Sequence, residues 1–174
     1  VLAFSACDTV KQVAGSAYNV TQCKYDFNNV SKLSISGMDV TRGISIASLP
    51  QIMQILCGSS SSIPLNMTVN LDVTNPNQSA AVLSGLSYIL SIDGVDFTSG
   101  NVNKSLNVPA GGSQTLPVEM GFDLKTLLSG DSAGAATNIV KNLIGIGNSK
   151  SEVTLKIKPV VNVAGFSVPS PVYI

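Results

Sequence analysis

Histidine and tryptophan are absent from this 174-residue chain, and charged residues make up only 11% of it. Without histidine there is no neutral-pH general base of the usual kind, no Ser-His or Cys-His nucleophile pair, and no imidazole for zinc. The lack of tryptophan, with 5% aromatic residues in all, removes most of the rings on which sugars are usually stacked. Ten basic and ten acidic residues cancel to a net charge of zero. No positive field is available to hold a nucleic acid or an anionic surface, so no nucleic-acid partner is expected.

What is present is apolar and strand-forming. Hydrophobic residues are 44% of the chain, enough for a real core, and the length fits one domain. Leu65, Met67, Val69, Leu71 and Val73 alternate with Asn66, Thr68, Asn70, Asp72 and Thr74, which predicts a strand with one buried and one wet face. Asn75-Pro76-Asn77 should stop it, because proline cannot donate to a ladder. Leu86, Tyr88, Leu90 and Ile92 predict the next strand. Asp93-Gly94 is then a two-residue hairpin turn, since both positions tolerate positive φ. The return strand is expected over 95–98, a turn at Ser99-Gly100, a strand over 102–108, a turn at 109–112, and a strand carrying Leu116, Val118, Met120 and Phe122.

Before this run a strand region is expected from Tyr18 to Leu33, with a short one over Val40–Ile46. A helix follows, with Ser48 as N-cap, Pro50 in its first turn and Gly58 closing it. A second helix, introduced near Asp131 and ended by Gly145 and Gly147, carries Ala135, Ala136, Ile139 and Val140 on one face. The last strand runs over 152–163, with Val153, Leu155 and Ile157 inward, and Pro169 and Pro171 favour an edge or tail. Successive strands without helical crossovers exclude a parallel α/β sheet. The expected class is mostly β, an antiparallel immunoglobulin- or fibronectin-like β-sandwich with two short amphipathic helices, spanning residues 18–174.

The N-terminus reads as a processing site. Val1 to Ala6 is too short to span a bilayer, which needs about 20 residues, and reads as the end of a signal peptide. Phe4-Ser5-Ala6-Cys7 resembles a bacterial lipobox, with Phe4 where leucine is commoner. That resemblance implies a lipid on Cys7, a tether over residues 7–17, a membrane partner through that lipid, and an extracytoplasmic address in a bacterium. A buried N-terminal strand with an ordinary core cysteine is the other reading. For Cys23 and Cys57 two readings also stand open: one disulfide in an oxidising compartment, or two reduced buried thiols.

The order Ile63-Pro64-Leu65, Asn75-Pro76-Asn77, Leu86-Ser87-Tyr88 with Asp93-Gly94, and Val108-Pro109-Ala110 before Leu116-Pro117-Val118 resembles the group 2 late embryogenesis abundant proteins, over roughly residues 45–163. The resemblance implies a β-sandwich with a helix, a desiccation- or stress-related role, and no catalysis. Asn75-Pro76 is the family's dipeptide, and is read here as a strand stop with the Asn side chain serving nearby backbone.

The catalytic and ligand inventory is thin. No serine lies in G-x-S-x-G and no S-x-x-K occurs. Asp72, Asp93 and Asp96 supply too few oxygens for calcium. Gly111-Gly112 and Gly145-Ile146-Gly147 do not open a helix as phosphate loops do. No metal, cofactor or catalytic residue is therefore assigned. Asn-x-Ser/Thr sequons at Asn19, Asn29, Asn66, Asn77 and Asn103 reflect composition rather than glycosylation if the lipobox reading holds. The expectation is a non-catalytic, lipid-anchored protein that acts by binding or shielding. A carbohydrate-binding or adhesin module on the same fold is the alternative, and a hydrolase with an unrecognised site the most distant one.

Overall fold

The computed structural model describes residues 15, 17–131, 133–143, 147, 150–163, 165–170 and 173–174. Cys7, the expected signal-peptide end at residues 1–6, Gly145 and Pro171 lie outside the described residues.

In chain order the elements are β1 (Lys24–Ile35), β2 (Met38–Asp39), α1 (Leu49–Cys57), β3 (Pro64–Thr74), β4 (Ala81–Leu83), β5 (Gly85–Ile92), β6 (Val95–Val102), β7 (Leu106–Val108), β8 (Ser113–Asp123), α2 (Leu124–Leu128), α3 (Ala133–Leu143), β9 (Val153–Val163) and β10 (Phe166–Pro169). They form one four-stranded sheet in the order β2-β1-β3-β8, a second in the order β10-β9-β5-β6, and a small pair β4-β7. Every strand pairing among the described residues is antiparallel, so the protein is mostly β and antiparallel, as expected.

The most regular alternation makes the most regular pairing. β3 and β8 stay in unbroken register from Pro64 opposite Asp123 to Thr74 opposite Ser113. Leu65, Val69, Leu71 and Val73 are buried, as are Leu116, Val118 and Met120 across from them. The β5–β6 turn has φ of 50° at Asp93 and 79° at Gly94, the two positive values a tight hairpin requires. Side chains from both large sheets meet in one cluster that includes Val69, Leu71 and Val118 from the first and Leu86, Leu90 and Ile157 from the second. A smaller cluster gathers Ile35, Ile52, Ile63, Leu65 and Leu124 where α1 and α2 pack on the end of the first sheet.

Several expectations are corrected. The first strand begins at Lys24, because residues 17–22 are helical. Thr21 Oγ1 donates to Tyr18 O at 2.6 Å, and Asn19 Nδ2 reaches Ser79 Oγ at 2.7 Å and Ala80 O at 3.1 Å. The local bond of Thr21 and the long-range bonds of Asn19 together override the β-branched Val20 and Thr21. The strand expected over Val40–Ile46 does not form; among the described residues the only pairing nearby is the two-residue β2 just before it. Asp39 Oδ1 accepts from Thr41 N at 2.8 Å and turns the chain away. Ser99-Gly100 is not a turn but lies inside β6, with Gly100 opposite Tyr88. A Cβ at Gly100 would sit 2.8 Å from Tyr88 Oη, so glycine here serves a close approach rather than a bend. Ser48 precedes α1 without capping it, and its hydroxyl pairs with that of Ser45 at 2.7 Å. Val153 faces inward with Leu155 and Ile157 as expected, but it stays 61% exposed.

The disulfide reading is also corrected. Cys23 and Cys57 are both free. Cys23 is buried in the larger cluster and its Sγ donates to Asn19 O at 3.3 Å, while burial pushes its thiol pKa up. Cys57 is exposed at the end of α1, a helix that packs on the smaller cluster. Cys23 therefore belongs to the larger cluster, while Cys57 lies at the surface on a helix that packs on the smaller one.

Candidate functional site

The two large sheets meet along one pair of edges and part along the other. Where β6 faces β8, the Phe97 and Phe122 rings pack edge-to-face with centroids 5.5 Å apart. Tyr88 Oη donates to Glu119 O at 3.4 Å and Thr98 Oγ1 to Gly121 O at 3.2 Å, both across the sheets. On the other side, between β1 and β3 in one sheet and β5 and β9 in the other, lies a cavity of about 720 Å³.

Its walls follow from strand alternation. β3 contributes Leu65, Met67, Val69 and Leu71, one side chain every second residue. β9 contributes Val153, Leu155 and Ile157 on the same rule, and Leu90 and Ile92 of β5 complete that wall. Phe27 and Val30 of β1, Val153, and Ile174 line the cavity and are also solvent-exposed, so they form its open rim. Ile174 is held there by two backbone bonds with Ile157, at 2.8 and 3.1 Å. Protein interiors are normally packed with few voids larger than a water molecule, and a space this size falls in the range of ligand pockets, about 300–1,000 Å³.

Among the described residues no charged side chain lines the cavity. Its polar members are engaged with protein partners. Asn142 Nδ2 donates to Ser151 Oγ at 2.9 Å. Tyr25 Oη donates to Val20 O at 3.2 Å, and burial, reinforced by the Cys23 thiol, pushes its phenol pKa far above the ordinary value. Tyr25 is therefore neutral at any physiological pH. The arrangement can remove an apolar molecule from water, and its described lining offers no general base or cation.

The residues singled out from sequence lie elsewhere. Asn75 is fully buried and works as a staple. Its Nδ2 donates to Ser79 O at 2.8 Å, Val108 O at 3.1 Å and Pro109 O at 3.2 Å. Its Oδ1 accepts from Asn77 N and from Asn77 Nδ2. Pro76 beside it is exposed. Asp93, besides making the hairpin with Gly94, exchanges two 2.8 Å bonds with Glu152: its Oδ1 accepts from Glu152 N, and its own N donates to Glu152 O. This clamp fixes the chain just after Ser151 and just before Val153, so it positions the cavity wall from outside.

The three aspartates weighed as a cation site do not converge. Asp72 is held by Asn28 Nδ2 and Thr115 Oγ1, Asp93 by Glu152 N, and Asp96 by Ser91 Oγ. Among the described residues no cluster of His, Cys, Asp and Glu could hold a metal, and no helix is long and apolar enough to cross a membrane. On the outer face of the first sheet, Asn70 Nδ2 donates to Asn29 Oδ1 and Ser31 Oγ, and Asn29 Nδ2 to Asn28 Oδ1. These amides answer one another, which leaves that face less available to sugars than its composition suggests.

Sequence reading did not reach the cavity. Alternation tells which side chains turn inward. It does not tell whether the opposing sheet comes close enough to fill the space between them.

The class defined so far is an antiparallel, mostly β protein with an apolar cavity between its sheets. A family model described as late embryogenesis abundant protein matches residues 70–172. That is more than half of the chain, and the chain belongs to this family. No curated protein matches it. Among solved structures it is similar to an Archaeoglobus fulgidus protein, at 15% identity, 86% of this chain, 93% of the other and a TM-score of 0.43. An Arabidopsis thaliana protein solved in solution is 13% identical over 84% of this chain and 72% of its own, with a TM-score of 0.42. A protein described as putative late embryogenesis abundant is 13% identical over 98% of this chain and 80% of its own, also with a TM-score of 0.42.

Proposed function

We propose that this protein is a non-catalytic, desiccation- or stress-related β-sandwich of the immunoglobulin-like kind that acts by binding an apolar molecule between its two sheets. It works outside the cytoplasm of a bacterium, fastened to a membrane through a lipid on Cys7. The observation that carries the binding part is the 720 Å³ apolar cavity with its exposed rim. Membership of a stress-related family supports the role, and the lipobox-like Phe4-Ser5-Ala6-Cys7 supports the anchor.

Titration with Nile red, which brightens in apolar surroundings, tests the binding reading. Saturable enhancement is expected for the wild type and its loss for Leu155→Trp, which fills the cavity from a half-buried position. Enhancement that never saturates, or that is equal in a folded Leu155→Trp protein, overturns it. Mass spectrometry of the protein from its native host tests the anchor. Acylated Cys7 at the N-terminus is expected, and an unmodified chain continuing upstream of it removes that part of the proposal.

A further inference from the structure

The cavity has a length, a direction and one polar end. Along β3 it extends from Leu65 to Leu71, which at about 3.4 Å per residue is roughly 20 Å. A volume of about 720 Å³ spread over that length describes a slot with room for one extended hydrocarbon chain and not for two abreast. The slot is walled by twisted sheets, a path that suits a flexible chain.

The two ends differ. Phe97 packs on Phe122, which sets the Ile92 end of β5 beside the Leu65 end of β3, since Phe122 pairs with Leu65. Val153 pairs with Ile92, so Ser151 and its partner Asn142 also sit at this end. Both line the slot, both are reachable by solvent, and they satisfy one another through a single 2.9 Å bond that a ligand can exchange. At the opposite end stand Leu71 and Tyr25, and the Tyr25 hydroxyl is committed to Val20 O, so the described residues leave an apolar terminus there. The exposed rim of Phe27, Val30, Val153 and Ile174 opens the slot along its side, so a chain can slip in laterally rather than thread end-on.

Resting on the reading that the cavity binds apolar molecules, we infer that its occupant is a single unbranched acyl chain. The tail lies toward Tyr25 and Leu71, and a small hydrogen-bonding head meets Asn142 and Ser151. A free fatty acid and a monoacylglycerol share this chemistry.

Displacement of bound Nile red separates the possibilities. Palmitic acid, monopalmitoylglycerol or both should displace the dye stoichiometrically, and which of them does so identifies the source of the chain. Cholesterol should not. Asn142→Leu should weaken the displacing amphiphile about fivefold, the worth of one net hydrogen bond, when read against that variant's own Nile red affinity. Met67→Trp, which plugs the slot midway, should abolish displacement and dye binding together, with Leu155→Trp as the second plug should the first not fold. If cholesterol displaces the dye and neither acyl compound does, the acyl inference falls and the binding function stands. Equal affinity of wild type and Asn142→Leu for the amphiphile overturns the assigned direction. If the dye never binds saturably, both fall.

Discussion

The two long edges of this molecule are made from the same kinds of residue and reach opposite outcomes. Along β6 and β8 the sheets are closed by an aromatic pair and two side chain-to-backbone bonds across the gap. Along β1 and β9 equally apolar strands stand apart around the cavity. Hydrophobic alternation is common to both edges, so it cannot be what separates them. What differs is whether those side chains meet the other sheet: Phe97 touches Phe122 across the closed edge, while Tyr25 and Phe27 of β1 border empty space. The bulge that offsets β5 from β6 between Leu90 and Ser91 adds Phe97 to the closed edge, and among the described residues no comparable bridge spans the open one.

The sharpest way to break this comparison is to truncate one leucine on each side. Leu116 on β8 has no exposed surface, and Leu116→Ala should cost about 3–4 kcal/mol, the transfer loss plus a new cavity. Leu155 on β9 already borders empty space, so Leu155→Ala should cost under about 1 kcal/mol, with little fresh void to create. Urea denaturation of both variants reads the difference. Equal losses would mean that the open edge is packed in solution.

Next in size is Asn75→Ala, expected to cost about 2–3 kcal/mol, because it leaves three backbone carbonyls at the end of β3 short of their common donor. Hydrogen exchange should show the loosening first at the turn 109–112 and at β7, which are the groups Asn75 ties together. Uniform loosening across both sheets would contradict a local staple.

Smaller again is Gly100→Ala on the closed edge. Its new methyl would lie 2.8 Å from Tyr88 Oη and 3.0 Å from Cζ. Overpacking of this kind costs about 1–2 kcal/mol. Tyr88→Leu removes the obstacle, so the double variant should be more stable than the two single losses add up to. Strict additivity would show that the ring does not press on β6.

These edges also show where legibility ended. The strands carrying Leu65 to Val73, Leu86 to Ile92 and Leu116 to Phe122 were readable because local alternation and tertiary burial demand the same thing. The Asp93-Gly94 hairpin was readable because its chemistry is local. Residues 17–22 were misread as strand because bonds to Ser79 and Ala80, about sixty positions away, decide their shape. Gly100 looked like a turn because a glycine's reason for being there can lie on a neighbouring strand. The state of Cys23 and Cys57 depends on where two distant elements dock, and so does the cavity, whose existence is a matter of sheet separation.

The smallest expected effect concerns how the wall of the open edge is tied from outside. β1 shifts register between Phe27 and Asn29, and the Asn28 skipped by that shift reaches across to Asp72 on β3. Thr115 of β8 holds the same carboxylate from the other side. These hydrogen bonds, Thr115 first and Asn28 second, lower the Asp72 pKa below the ordinary carboxylate value. The folded state therefore binds this proton less readily than the unfolded chain does. Its stabilising contribution is complete above the unfolded pKa of about 4 and is lost as the pH falls through the lower, folded value. Asp72→Asn removes that contribution at every pH, so its denaturation midpoint should fall less steeply with acid than that of the wild type, the two curves converging at the acid end. Parallel curves would mean that Asn28 and Thr115 do not grip Asp72 in solution, and that β1 forms the rim of the cavity without this outer stitch.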